Sequence, residues 1–152
     1  MRHIICFGNP LHGDDGFGHA VYQRLCATSL PADIKVFDAG IGGLNALALF
    51  ENCDEAILID ASAPAGTPGQ ISRPSSDDIP LESGQSGHCS GVGYLLRSLR
   101  ALNAMPPRVR IVAAEAAAVT PFQPGLSAAM AQAVNDTVAI LHDWITGKQR
   151  DA

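Results

Sequence analysis

The sequence predicts an α/β domain of three layers, α/β/α, around a mostly parallel, twisted central sheet. Two observations carry this expectation. Short apolar runs such as Ile4-Ile5-Cys6-Phe7 and Ala56-Ile57-Leu58-Ile59 have the length and continuity of strands buried on both faces, and segments of helical spacing separate them. Acidic residues follow several of these runs, at the end of the strand where open α/β sheets bind ligands.

The elements follow in order. Residues 4–7 form a first strand, and residues 17–30 a helix with Val21, Leu25 and Cys26 on one face. Ile34-Lys35-Val36-Phe37 reads as the second strand, residues 44–50 as a short helix, and residues 56–59 as the third strand. Residues 62–90 interrupt the alternation. This stretch is rich in Gly, Pro and Ser, with a short strand expected near Gln70-Ile71, and its length is that of a functional or a mobile loop. Helical spacing returns over residues 91–103 through Val92, Leu95, Leu96 and Leu99. Val109-Arg110-Ile111-Val112 is a further strand, and a last helix runs from about Leu126 to Trp144. The chain of 152 residues fits one domain, expected over 1–146, with 147–152 as a C-terminal tail.

Composition excludes several classes. Hydrophobic residues make up 47% and charged residues 16%, which provides a core and argues against disorder. The net charge is -5 and the only lysines are Lys35 and Lys148, so neither nucleic acid nor an anionic membrane is an expected partner. No apolar run has the ~20 residues of a membrane span. Cys6, Cys26, Cys53 and Cys89 show neither CxxC spacing nor a framework pattern and read as reduced thiols of a cytoplasmic protein.

The chemistry is sought beyond the strand ends. After the first strand comes Gly8-Asn9-Pro10-Leu11-His12-Gly13-Asp14-Asp15-Gly16-Phe17-Gly18. Asp38-Ala39-Gly40 follows the second, Asp60 the third, and Glu115 comes after residues 109–112. Carboxylates crowded at one edge repel one another, and a cation relieves that repulsion. Each also has a plainer reading. Asp14 and Asp15 could cap a helix, Asp38 could organise a turn, and Glu115 reads as a solvated strand end. Asp60, directly after an apolar strand, is expected to be partly buried and to need a partner. His3, His12, His19 and His142 read as ordinary surface or core histidines. His88 stands apart, in Ser86-Gly87-His88-Cys89-Ser90-Gly91 before a helix at the edge that also carries Asp60. Two carboxylates and an imidazole form a mixed oxygen and nitrogen site suited to nickel, non-haem iron, manganese or zinc. The first loop lacks GxGxxG spacing, no Walker lysine or GxSxG elbow is present, and Cys89 is the weaker candidate as a nucleophile.

The combination of Gly8-Asn9 with Gly13-Asp14-Asp15-Gly16-Phe17-Gly18, then Asp38-Ala39-Gly40, Leu58-Ile59-Asp60-Ala61 and His88 before a helix resembles the hydrogenase maturation endopeptidases. The resemblance implies a peptidase that removes a C-terminal extension from the large-subunit precursor of a nickel–iron hydrogenase after nickel insertion. It implies Asp15, Asp60 and His88 as nickel contacts, with the metal supplied by the substrate, and Asp38 as an acidic position that helps in recognition. Asp15 or Asp38 is then the expected carboxylate base, in competition with a metal-polarised carbonyl or metal-activated water. The chain departs from the family's pattern at Ala113-Ala114-Glu115-Ala116, where a Gly-x-Glu-Pro-like segment is usual. Two rival readings are a phosphorelay receiver, which lacks its late-strand lysine here, and a maturation chaperone that binds the nickel site without cutting.

Overall fold

The computed structural model describes residues 1–79 and 90–148. Five strands form one sheet in the order β2-β1-β3-β5-β4. Strands β1 (Arg2–Phe7), β2 (Ile34–Gly40), β3 (Glu55–Ser62) and β5 (Arg108–Glu115) are mutually parallel, and the two-residue β4 (Ile71–Ser72) pairs antiparallel with β5 at the edge. Helices α1 (Phe17–Cys26) and α3 (Ala128–Thr146) cover one face, and α2 (Ser90–Ala101) and a 3-10 segment (Gly43–Phe50) cover the other. The expected three layers are therefore present, and so is the short strand after Gln70.

Side-chain alternation explains the two cores. Ile4, Cys6, Ile57, Ile59, Val112 and Ala114 face α1 and α3, and Ile5, Phe7, Ala56, Leu58 and Ile111 face α2 and the 3-10 segment. A strand buried on both sides has no polar face to show, hence the unbroken apolar runs of β1 and β3. His3 is buried within β1; its Nδ1 donates to the Leu49 carbonyl at 2.7 Å and its ring meets Phe37 edge-on. It ties the 3-10 segment to the sheet, a structural role in line with the sequence reading.

Three boundaries differ from expectation for physical reasons. Asp38 and Asp60 lie inside their strands and Glu115 closes its own, rather than being the first loop residues, because backbone pairing continues past the apolar runs: Cys6 pairs with Asp38, and Asp60 with Ala113. The first helix ends at Cys26 rather than Leu30; the Ala27 amide donates to the Gln23 carbonyl, the Thr28 amide closes the turn with a 3-10-type bond to Leu25, and the Thr28 hydroxyl donates to the same carbonyl. Residues 44–50 are a 3-10 segment, not an α-helix.

Two glycines let the chain approach itself at the carboxyl end of β1. Gly8 has φ +120, and a Cβ there would strike the backbone carbonyl of Asp15. At Gly18, a Cβ would strike the Phe7 carbonyl, so the start of α1 lies directly against the end of β1. Gly18→Ala should therefore lower stability by about 1–3 kcal/mol through overpacking. Urea denaturation measures this, and an unchanged midpoint would contradict the packing.

Candidate functional site

The chain runs from β1 outward to β2 on one side and returns to β3 on the other, so the strand order reverses between β1 and β3. Ligands in such sheets bind at this switch point, beyond the carboxyl ends of the two strands. The loop of residues 8–16 leaves β1 there, and Asp60 stands near the carboxyl end of the neighbouring β3.

Within that loop the paired acids divide their work. Asp14 is buried and engaged on both oxygens. Its Oδ2 accepts from the Ala117 and Ala118 amides (2.8 and 3.3 Å) and the Ser127 hydroxyl (2.9 Å), and its Oδ1 accepts from the Ser127 amide (2.7 Å). Ser127 is itself the N-cap of α3, its hydroxyl accepting from Met130. Asp14 is thus a capping carboxylate, but for the segment after β5 and for α3 rather than for its own helix. A cavity of about 220 Å³ between Gly13-Asp14 and residues 117–127 borders this clamp. Asp15 is buried on the other side of the turn, where its Oδ2 accepts from the Asn9 amide at 2.8 Å.

Asp60 is buried too, with Oδ1 accepting from its neighbour Ala61. It lies on the same face of β3 as Ala56 and Leu58, the face that α2 covers. His88, the third expected ligand, lies outside the described residues, two positions before α2 begins. Among the described residues, no three His, Cys, Asp or Glu side chains are grouped closely enough to hold a metal. Asp15 and Asp60 are thus two buried carboxylates at the switch point.

Asp38 lies on the opposite face, in line with Ile34 and Val36. An irregularity in β2 pairs Cys6 with Asp38 and Phe7 with Gly40, leaving Ala39 as an extra residue. Asp38 Oδ1 accepts from the Gly40 amide at 3.2 Å, so the turn-organising reading holds. Its Oδ2 lies 2.7 Å from Nδ1 of His19 in the first turns of α1. The pairing of His19 was missed in the sequence. The available signal was position: a histidine just inside the helix that follows the β1 loop stands at the same sheet edge as the strand-end acids.

Glu115 is buried, correcting its reading as a solvated strand end. Its side chain accepts from the Thr67 amide, and its backbone exchanges bonds with Gly69 and Gln70, so it fastens the approach to β4. The Cys6 thiol is pushed far up, by burial first and then by Asp38, Cys26 and Asp60, and is no nucleophile. Cys6, Cys26 and Cys53 are free thiols. Among the described residues no helix is long and apolar enough to cross a membrane.

This arrangement places the chain among α/β proteins with a mostly parallel sheet whose strand order reverses beside buried acids. The family model of the hydrogenase maturation proteases matches residues 20–144. A hydrogenase maturation protease assigned in Methanocaldococcus jannaschii is 31% identical over 91% of this chain and 92% of its own. The hydrogenase expression/formation protein HupD of Rhodobacter capsulatus is 26% identical over 90% of this chain and 67% of its own. Among solved structures, the Escherichia coli hydrogenase maturating endopeptidase HybD superposes with a TM-score of 0.79 at 22% identity, covering 94% of this chain and 93% of that one, which shows the shared fold. The chain belongs to the hydrogenase maturation protease family and is a peptidase.

The Asp14 clamp generates a stability prediction. Asp14→Ala strips the acceptor from three amides and a hydroxyl, and should cost about 3 kcal/mol. Chemical denaturation reads the loss, and amide exchange should accelerate first across residues 117–127. A variant within about 0.5 kcal/mol of wild type would show that the clamp is dispensable.

Proposed function

We propose that this chain removes the C-terminal extension from the large-subunit precursor of a nickel–iron hydrogenase after nickel has been inserted, and that it does so in the cytoplasm. The observation that carries this reading is the pair of buried carboxylates, Asp15 and Asp60, at the switch point of a chain from the hydrogenase maturation protease family. Two carboxylates at one edge repel one another, and a cation relieves that repulsion. The nickel of the substrate is that cation. Asp15, Asp60 and His88 contact it, and the mixed oxygen and nitrogen set suits nickel.

Reading a metal that belongs to the substrate makes the site a checkpoint. A precursor carrying nickel is anchored, and its extension is held across the carboxyl ends of the strands; an empty precursor lacks the anchor. Much of the rate then comes from positioning the scissile peptide. Hydrolysis uses water and carboxylate assistance, with Asp15 and Asp38 as the acids assigned to it. A covalent route through Cys6 is closed by burial of that thiol.

In cells lacking this protein, one nickel–iron hydrogenase large subunit should keep its extension, read as intact mass. Wild-type protein should restore the shorter mass, whereas Asp15→Asn, Asp60→Asn and His88→Ala should each reduce processing by at least about 100-fold with the fold retained. Normal processing by one of these variants removes that residue from the site. Normal maturation in the deletion strain, with no second peptidase of the family present, overturns the peptidase assignment for the large subunit. Purified protein that binds precursor and leaves its mass unchanged would make it a chaperone.

A further inference from the structure

We propose that His19 and Asp38 form a catalytic dyad, with His19 as the general base that activates the hydrolytic water and Asp38 as its positioning residue; this rests on the peptidase reading above. Nδ1 of His19 lies 2.7 Å from Asp38 Oδ2, and Asp38 Oδ1 is fixed by the Gly40 amide. A carboxylate bonded to Nδ1 holds the proton there and leaves Nε2 as the basic nitrogen. Both side chains are 28% exposed, so the imidazole reaches solvent. Among the described residues Nε2 has no hydrogen-bond partner, and the nearest ring is Tyr22, tilted at 6.3 Å.

The placement fits a peptide anchored at the switch point. Asp38 pairs across β1 with Cys6, and β3 flanks β1 on the other side. With strands about 4.8 Å apart, the axes of β2 and β3 lie about 10 Å from one another. An extended chain covers that span in about three residues. A substrate held through its metal at Asp15 and Asp60 and lying across the strand ends therefore presents backbone to His19. The dyad is also tied to the metal loop, since the Gly40 carbonyl accepts from the Gly8 amide at 3.0 Å. Asp38, with both oxygens engaged, acts through the imidazole.

The step balances with water as the only co-reactant. His19 Nε2 takes a proton from water as its oxygen bonds to the scissile carbonyl carbon. The imidazolium then returns that proton to the amide nitrogen as the C–N bond breaks, releasing a carboxylic acid on the subunit and an amine on the extension, and the acid's proton passes through solvent to the amine to leave carboxylate and ammonium.

The test follows cleavage of purified nickel-loaded large-subunit precursor by wild type, His19→Ala and His19→Asn. The asparagine variant keeps a donor for Asp38 but has no basic nitrogen, and it stands in if the alanine variant folds poorly. Both variants should lose about 100-fold or more in kcat while precursor binding stays within about 3-fold, and added imidazole should raise the rate of His19→Ala by about 10-fold or more. Wild-type rates in either variant, or no rise with imidazole in a folded His19→Ala, overturn the dyad alone. A wild-type protein that leaves the precursor intact overturns the peptidase reading, and the dyad with it.

Discussion

The architecture of the site depends on one buried carboxylate. Asp14 gathers three amides and a hydroxyl from residues 117, 118 and 127, more than one hundred positions away in sequence. An ionised side chain pulled out of water is tolerable only when its lone pairs are filled, and here three amides and a hydroxyl fill them. The same contacts cap α3 through Ser127 and close the loop after β5 over the turn of residues 13–16. Because Asp15 is the next residue, its position is set by this clamp and by the glycine at position 8 that admits its carbonyl.

The sheet divides the remaining functional groups between its faces. Asp60 shares a face with α2, the helix that the His88 segment leads into, whereas Asp38 shares a face with α1 and meets His19 there. The two faces converge only at the carboxyl edge, over the ends of β1, β2 and β3. A peptide lying across that edge can touch both groups at once. This gives a physical reason to separate a metal-reading role on one side from a proton-handling role on the other, instead of crowding every acid around one ion.

Much of this was legible in the sequence. The apolar runs of β1 and β3 announced strands covered on both sides, and the acids after them located the edge where a ligand binds. Asp60 was expected to be partly buried, and it is buried. What escaped depends on contacts between distant segments. Nothing near Asp14 in sequence reveals that its partners are Ala117, Ala118 and Ser127, so helix capping and site membership looked equivalent. Glu115 seemed solvated because strand pairing beyond Val112 and the bond from Thr67 are long-range facts. Likewise His19 looked ordinary, since its partner lies nineteen positions away on a different element. The 3-10 character of residues 43–50 was also hidden, because apolar spacing over so short a run does not separate the two helix types.

The account's central claim is that this peptidase reads nickel carried by its substrate. The most direct measurement is the intact mass of one large-subunit precursor, prepared with and without nickel and incubated with the purified protein under the same conditions. The account predicts that the nickel-loaded precursor loses its C-terminal extension while the nickel-free precursor keeps its full mass. Equal cleavage of both would contradict a metal-reading role for Asp15, Asp60 and His88.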